Sequence, residues 1–126
     1  MRILVIGSGG REHALVWKLT ASPRRPRLYC APGNAGTAAL ATNVPVGAGD
    51  LDGLLDFALR ERIDLTVVGP DDTLAAGCVD RFEAAGLRIF GPRAAAARQE
   101  SSKIFAKQFM PRPGIPTARA GAFDRP

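Results

Sequence analysis

Ile3-Leu4-Val5-Ile6 is an unbroken apolar run that stops at Gly7. A strand with one wet face alternates apolar and polar residues. A continuous run reads instead as a strand covered on both faces, as in a parallel sheet. The next segment suits that reading. Glu12 to Ala21 places Leu15 and Leu19 one helical turn apart beside Ala14 and Trp17, and Ser22-Pro23 ends it. A buried strand, a glycine turn and a helix therefore open the chain.

The alternation continues. Arg27 to Cys30 is a short strand leading into Ala31-Pro32-Gly33-Asn34-Ala35-Gly36, where turn residues dominate. Asn43 to Val46 is a weaker strand. Asp50 caps a helix with Leu51, Leu54, Leu55 and Ala58 at i, i+3, i+4 and i+7. Ile63 to Val68 is a strand ending at Gly69-Pro70. Asp71 or Asp72 caps a helix carrying Ala75, Ala76, Val79 and Phe82, with Gly86 as its stop. Leu87 to Phe90 is a fifth strand. Ala94 to Ala97 is a short helix, and Ser101 or Ser102 caps a last one over Ile104, Phe105, Gln108 and Phe109. The expected fold is α/β and Rossmann-like, three layers around a mostly parallel sheet. Beyond Pro111 the prolines Pro111, Pro113, Pro116 and Pro126 leave no regular element. The end at Asp124-Arg125-Pro126 reads as a truncated product.

The 126 residues suit one domain with a real core. No apolar run approaches the ~18 residues of a membrane span, and the first strand is too short for a signal-peptide core. A cytoplasmic location is expected. Cys30 and Cys78 stand far apart, and with one histidine they assemble no zinc site. The net charge is +5, but the arginines are dispersed, and Arg24-Arg25-Pro26-Arg27 lacks interleaved aromatics. Neither a nucleic acid nor a membrane partner is expected. A small anionic substrate suits the charge better.

In a doubly wound sheet, ligands bind beyond the carboxyl ends of the strands. Three turn-rich loops fall there: Gly7 to Gly10, Pro32 to Gly36 and Gly69 to Asp72. The first allows a phosphate to approach backbone amides at a helix start. It is no dinucleotide fingerprint. Glu12 stands where the third glycine of G-x-G-x-x-G belongs, and the second strand closes on Tyr29-Cys30-Ala31 without a carboxylate. Glu12 either favours the helix dipole or orients a ligand. His13 reads as a partner of nearby backbone sooner than as a catalyst. Asn34 and Gly36 serve either a sugar or a plain turn. Asp71 and Asp72 are either caps or ligand-binding groups. Lys103 and Lys107, one turn apart, read as a solvated face.

Together these residues resemble a known family. Gly7-Ser8-Gly9-Gly10-Arg11-Glu12-His13-Ala14-Leu15 is similar to the opening of glycinamide ribonucleotide synthetases, and so is Ala31 to Thr37. Asp64 to Pro70, Ala75-Ala76-Gly77 with Val79-Asp80, Ile89 to Pro92, Ser102-Lys103 with Phe105-Ala106-Lys107, Phe109-Met110, and Gly114 to Ala118 follow in order. The resemblance implies an ATP-grasp ligase that joins 5-phosphoribosylamine to glycine in purine biosynthesis, through an acyl phosphate of glycine. It implies ATP and Mg2+ or Mn2+ for the full-length enzyme, with none held tightly by this chain. Residues 1–100 would be the N-terminal substrate domain and 101–126 the start of a truncated ATP-grasp domain. The chain alone would then be inactive unless the missing ATP-grasp portion joins it. Carried over, Gly9, Gly10, Arg11, Glu12, Asn34 and Gly36 are the ribose-phosphate candidates, and Lys103 the ATP-binding one. Asp71 stands where the family has glutamate and Thr73 where it has proline, so Asp71 reaches less far as a substrate contact. No catalytic residue is assigned. The alternative is a non-catalytic Rossmann module binding a nucleotide or sugar phosphate.

Overall fold

The computed structural model describes residues 1–111 and 114–121. Its first strand, β1 (Arg2–Gly7), is the middle of a five-stranded sheet. On one side lie β2 (Arg27–Pro32) and then β3 (Thr42–Asn43); on the other lie β4 (Leu65–Val68) and then β5 (Ile89–Phe90). Every pairing is parallel, so the sheet is uniform where a mostly parallel one was expected. The spatial order 3-2-1-4-5 reverses direction at β1, which puts the topological switch point beside its carboxyl end.

The apolar run of β1 explains the layers. Leu4 and Ile6 face one cluster, with Leu54, Phe57 and Ala58 of α3 (Leu51–Arg60) and Val79 and Phe82 of α5 (Cys78–Ala84). Ile3 and Val5 face the other, with Val16 of α1 (Gly10–Thr20), Leu28 and Cys30. Successive strand side chains point to opposite faces. Both faces are covered, and Leu4, Val5 and Ile6 have no exposed surface. Tyr29 adds an edge-on contact with Phe57 at 5.4 Å between ring centres.

Some elements differ from the sequence-based expectation. Ala35–Ala38 forms a one-turn helix, α2, within what reads as a plain turn. The expected single helix after β4 is two, α4 (Asp71–Ala75) and α5, because Gly77 takes φ +87° and re-aims the chain. Neither Asp71 nor Asp72 caps α4; Pro70 holds the N-cap position without a side-chain bond. The expected caps Asp50 and Ser102 do accept the amides of Gly53 and Phe105. The third strand covers only Thr42–Asn43, although the Val44 amide still donates to the Cys30 carbonyl. The helix at Ala94 runs to Ser101 as α6, which packs against α4, and α7 covers Lys103–Phe109. Pro113 and the Asp124-Arg125-Pro126 end lie outside the described residues. Among the described residues no helix is long and apolar enough to cross a membrane.

Candidate functional site: a three-loop rim

Strand register brings the three turn-rich loops together. Gly7 pairs with Pro32 and Ile6 with Val68, so β2, β1 and β4 end at one level. The ladder continues one step into the loops. The Gly33 amide donates to the Gly7 carbonyl, and the Gly69 amide to the Ile6 carbonyl, each at 3.1 Å. All three loops leave from one edge of the sheet, as their placement after the strands requires.

Glu12 organises the first and third loops. It is 4% exposed, and its Oε2 accepts the Gly9 amide at 2.7 Å. Gly9 is the N-cap of α1, and a glycine cap has no side chain with which to hold the first turn. The Glu12 carboxylate supplies the other half of a capping box, accepting the N-cap residue's own amide. Space for it comes from glycines. A Cβ on Gly7, whose φ is +128°, would lie 2.6 Å from Glu12 Cδ, and one on Gly69 would fall on Oε1. Gly10, by contrast, has nothing near its missing Cβ. The glycines therefore divide: Gly7 and Gly69 make room for Glu12, while Gly10 is open to solvent.

Asn34 binds the second loop to the first. Its Oδ1 accepts the Thr37 amide at 3.0 Å as the N-cap of α2, and its Nδ2 donates to the carbonyls of Ser8 at 2.8 Å and Gly9 at 3.3 Å. Behind it, Asn43 Nδ2 donates to the Asn34 carbonyl at 2.8 Å, and the buried Thr37 hydroxyl donates to Asn43 Oδ1 at the same distance. Gly36 sits inside α2 under the imidazole of His13, whose Cε1 lies 2.6 Å from the position of a Gly36 Cβ. His13 thus packs on a helix, where a hydrogen bond to backbone was expected.

Between the first and third loops lies an open cleft of about 400 Å³, lined by Ser8, Gly9, Gly10, Arg11, Glu12 and Pro70. Arg11 crosses its mouth. Its guanidinium donates to the Gly69 carbonyl at 2.6 Å and meets Asp71 Oδ1 at 3.3 Å. Both side chains are substantially exposed, so the pair contributes at most ~1 kcal/mol to stability. Thr73 is buried, and its hydroxyl donates to the Ala48 carbonyl at 3.0 Å, which satisfies that polar group.

Lys103 belongs elsewhere. It lines a second cavity of about 330 Å³ with Ile104, Lys107, Gln108, Ala120 and Gly121, none of which is in the rim. Lys107 ties the following segment down, donating to Thr117 Oγ1 at 2.6 Å and the Ala118 carbonyl at 2.8 Å. A solvated pair was expected there. Cys30 lies under the rim, and its thiol meets the Gly7 carbonyl at 3.5 Å. Burial pushes that thiol above its usual range and the nearby Glu12 adds to the rise, while a Thr37 hydrogen bond opposes both. Among the described residues no three His, Cys, Asp or Glu side chains gather as a metal site.

Sequence reasoning passed over Thr37, Asn43, Gly7 and Gly69 as individual contributors. Asn34 with Thr37 three residues on is a cap signature that was available. Asn43 is brought in only by the β2–β3 pairing.

Comparison with known proteins agrees with this architecture. The family described as "Phosphoribosylglycinamide synthetase, N domain" matches residues 1–100. The phosphoribosylamine–glycine ligase of Xylella fastidiosa is 63% identical over 121 residues, which cover 94% of this chain and 28% of that relative. The crystal structure of the Thermotoga maritima phosphoribosylamine–glycine ligase superposes with a TM-score of 0.64 at 32% identity, over 94% of this chain and 26% of that one. The N5-carboxyaminoimidazole ribonucleotide synthetase of Thermus thermophilus shares the fold, with a TM-score of 0.67 at 24% identity over 91% of this chain and 31% of its own. The chain thus spans little more than a quarter of the curated relative's length, and it belongs to the phosphoribosylglycinamide synthetase N-domain family.

Proposed function

We propose that this chain is the N-terminal substrate-binding part of a phosphoribosylamine–glycine ligase, and that its rim holds the ribose 5-phosphate portion of phosphoribosylamine. The observation that carries this is the meeting of the three loops at the switch point, with a cleft between the first and third that has one exposed guanidinium at its mouth. The Arg11 guanidinium supplies the positive charge for a phosphate at the cleft mouth, and Gly10, with no side chain, leaves room in the cleft for the sugar. Asn34, Glu12 and Gly36 hold the loops that shape the cleft, and Asp71 fixes the guanidinium.

Residues 101–126 are the entry into an ATP-grasp domain, with Lys103 as a nucleotide contact. ATP and Mg2+ or Mn2+ supply the acyl-phosphate activation of glycine in the whole enzyme. Among the described residues no three His, Cys, Asp or Glu side chains gather, and no step through the metal is assigned to them. Accordingly residues 1–126 by themselves form no glycinamide ribonucleotide.

Isothermal titration of the 126-residue chain tests the reading. Ribose 5-phosphate binds, ribose binds at least fivefold more weakly, and Arg11→Ala removes most of that difference. Tight NAD binding, or equal affinity for ribose and its phosphate, would overturn it. ATP-dependent turnover by this chain alone, given phosphoribosylamine, glycine and Mg-ATP, would refute the assignment of the ATP chemistry elsewhere.

A further inference from the structure

We propose that Glu12 decides which end of a ligand the cleft accepts: its buried carboxylate excludes phosphate from the N-terminus of α1, so a sugar phosphate enters with its hydroxyl-bearing ring inward and its phosphate outward at Arg11. This rests on the sugar-phosphate reading above for the ligand's identity, but the exclusion itself stands on Glu12.

In a glycine-turn Rossmann unit the amides at the first helix start are an anion site, because they lack helical partners and carry the positive end of the dipole. Here that site already holds an anion. Glu12 Oε2 takes the Gly9 amide at 2.7 Å, and the carboxylate is enclosed by Gly7, Gly9 and Gly69. Among the described residues it has no ion-pair partner, since the adjacent Arg11 turns to Gly69 and Asp71. The helix dipole and one amide are its compensation, and Glu12 lines the cleft floor. A phosphate approaching the Gly10 and Arg11 amides would sit a few ångströms from an enclosed negative charge. Like charges at such range, in surroundings near a protein surface, disfavour each other by roughly tenfold or more. A sugar hydroxyl donates a hydrogen bond and meets no such repulsion. Glycine at this position would leave the amides free, as a pyrophosphate requires.

Inorganic phosphate is the probe, read on the backbone amides by heteronuclear NMR. In the native chain the Gly9, Gly10 and Arg11 amides stay unmoved by phosphate. In Glu12→Gln, which keeps the shape and loses the charge, those amides shift and phosphate affinity rises about tenfold. Glu12→Asp keeps the charge and gains nothing. The proposal is overturned by phosphate shifting those amides in the native chain, by Glu12→Gln behaving as native, or by Glu12→Asp gaining as much as Glu12→Gln. Were Glu12→Gln unable to fold, the native-chain measurement still decides. Failure of ribose 5-phosphate to bind, with the Glu12→Gln gain intact, would sink the proposed function and leave this inference standing.

Discussion

Replacing Gly69 with alanine drives a methyl group into space that Glu12 holds. Gly69 does not lie in the left-handed region, so its backbone accepts alanine without strain. The cost is purely one of contact. The new Cβ would fall on Glu12 Oε1 and lie 2.6 Å from Cδ. Glu12 has to move off the new methyl, and the expected outcome is loss of its bond to the Gly9 amide. A hydrogen bond to a charged acceptor contributes about 1.5–3 kcal/mol, and the first turn of α1 loses its only cap, so we expect Gly69→Ala to cost ~2 kcal/mol. In a Glu12→Ala background the three atoms nearest the new methyl are gone. It should then be neutral or stabilising by up to ~1 kcal/mol, through the narrower unfolded ensemble. The coupling energy of this cycle is thus about 2 kcal/mol. Urea unfolding followed by circular dichroism measures it as a midpoint shift of ~1 M in one background and none in the other. Equal costs in both backgrounds would refute the idea that the glycines exist to seat Glu12.

Three further substitutions test other parts of the molecule. Asn34→Asp keeps the cap on Thr37 but loses both donations to the first loop, and should cost ~1 kcal/mol, whereas Asn34→Ala loses all three bonds and costs ~2 kcal/mol, each read from urea midpoints. Phe82 is fully buried in the larger core cluster, so Phe82→Ala lowers stability by about 3–5 kcal/mol, and calorimetry should show it. Burial raises the Cys78 thiol from 9.0 to about 11 despite the opposing charge of Arg81. Its folded-state value is the higher one, so its contribution is intact below pH 9 and is lost as pH climbs toward 11. Relative to Cys78→Ala, the native chain should lose about 2–3 kcal/mol across that window in pH-dependent urea titrations.

Much of this architecture was legible because it rests on periodicity. The Ile3–Ile6 run required cover on both faces and received it. Strand–helix alternation implied parallel pairing, and the loops after β1, β2 and β4 then had to share an edge. What stayed hidden depends on contacts across the sequence. A glycine inside a helical pattern, as at Gly77, reads the same whether it is tolerated or breaks the helix; only packing chooses. Asp71 looked like a cap from its neighbours, but Arg11, sixty positions earlier in the chain, claims its carboxylate. Glu12 was the least legible of all. A glutamate in the first turn of a helix is ordinarily exposed, and its burial follows from two glycines on different loops.

The opening motif Gly7 to Leu15 therefore mixes two kinds of residue that sequence similarity cannot separate. Gly7, Glu12 and His13 spend their side chains, or the lack of one, on other parts of the protein. Ser8, Gly9, Gly10 and Arg11 border the cleft, and Glu12 does both. The first group fixes where the second group stands, and it does so through contacts wholly within the protein. A rim held this way is in place before any ligand arrives, so binding need not pay to order its loops. It follows that changes at Glu12 or Asn34 should register in stability as well as in binding, whereas a change at Arg11, exposed and held by one carbonyl and one surface ion pair, should register mainly in binding. That asymmetry separates the residues that build the rim from the one that meets an anion there.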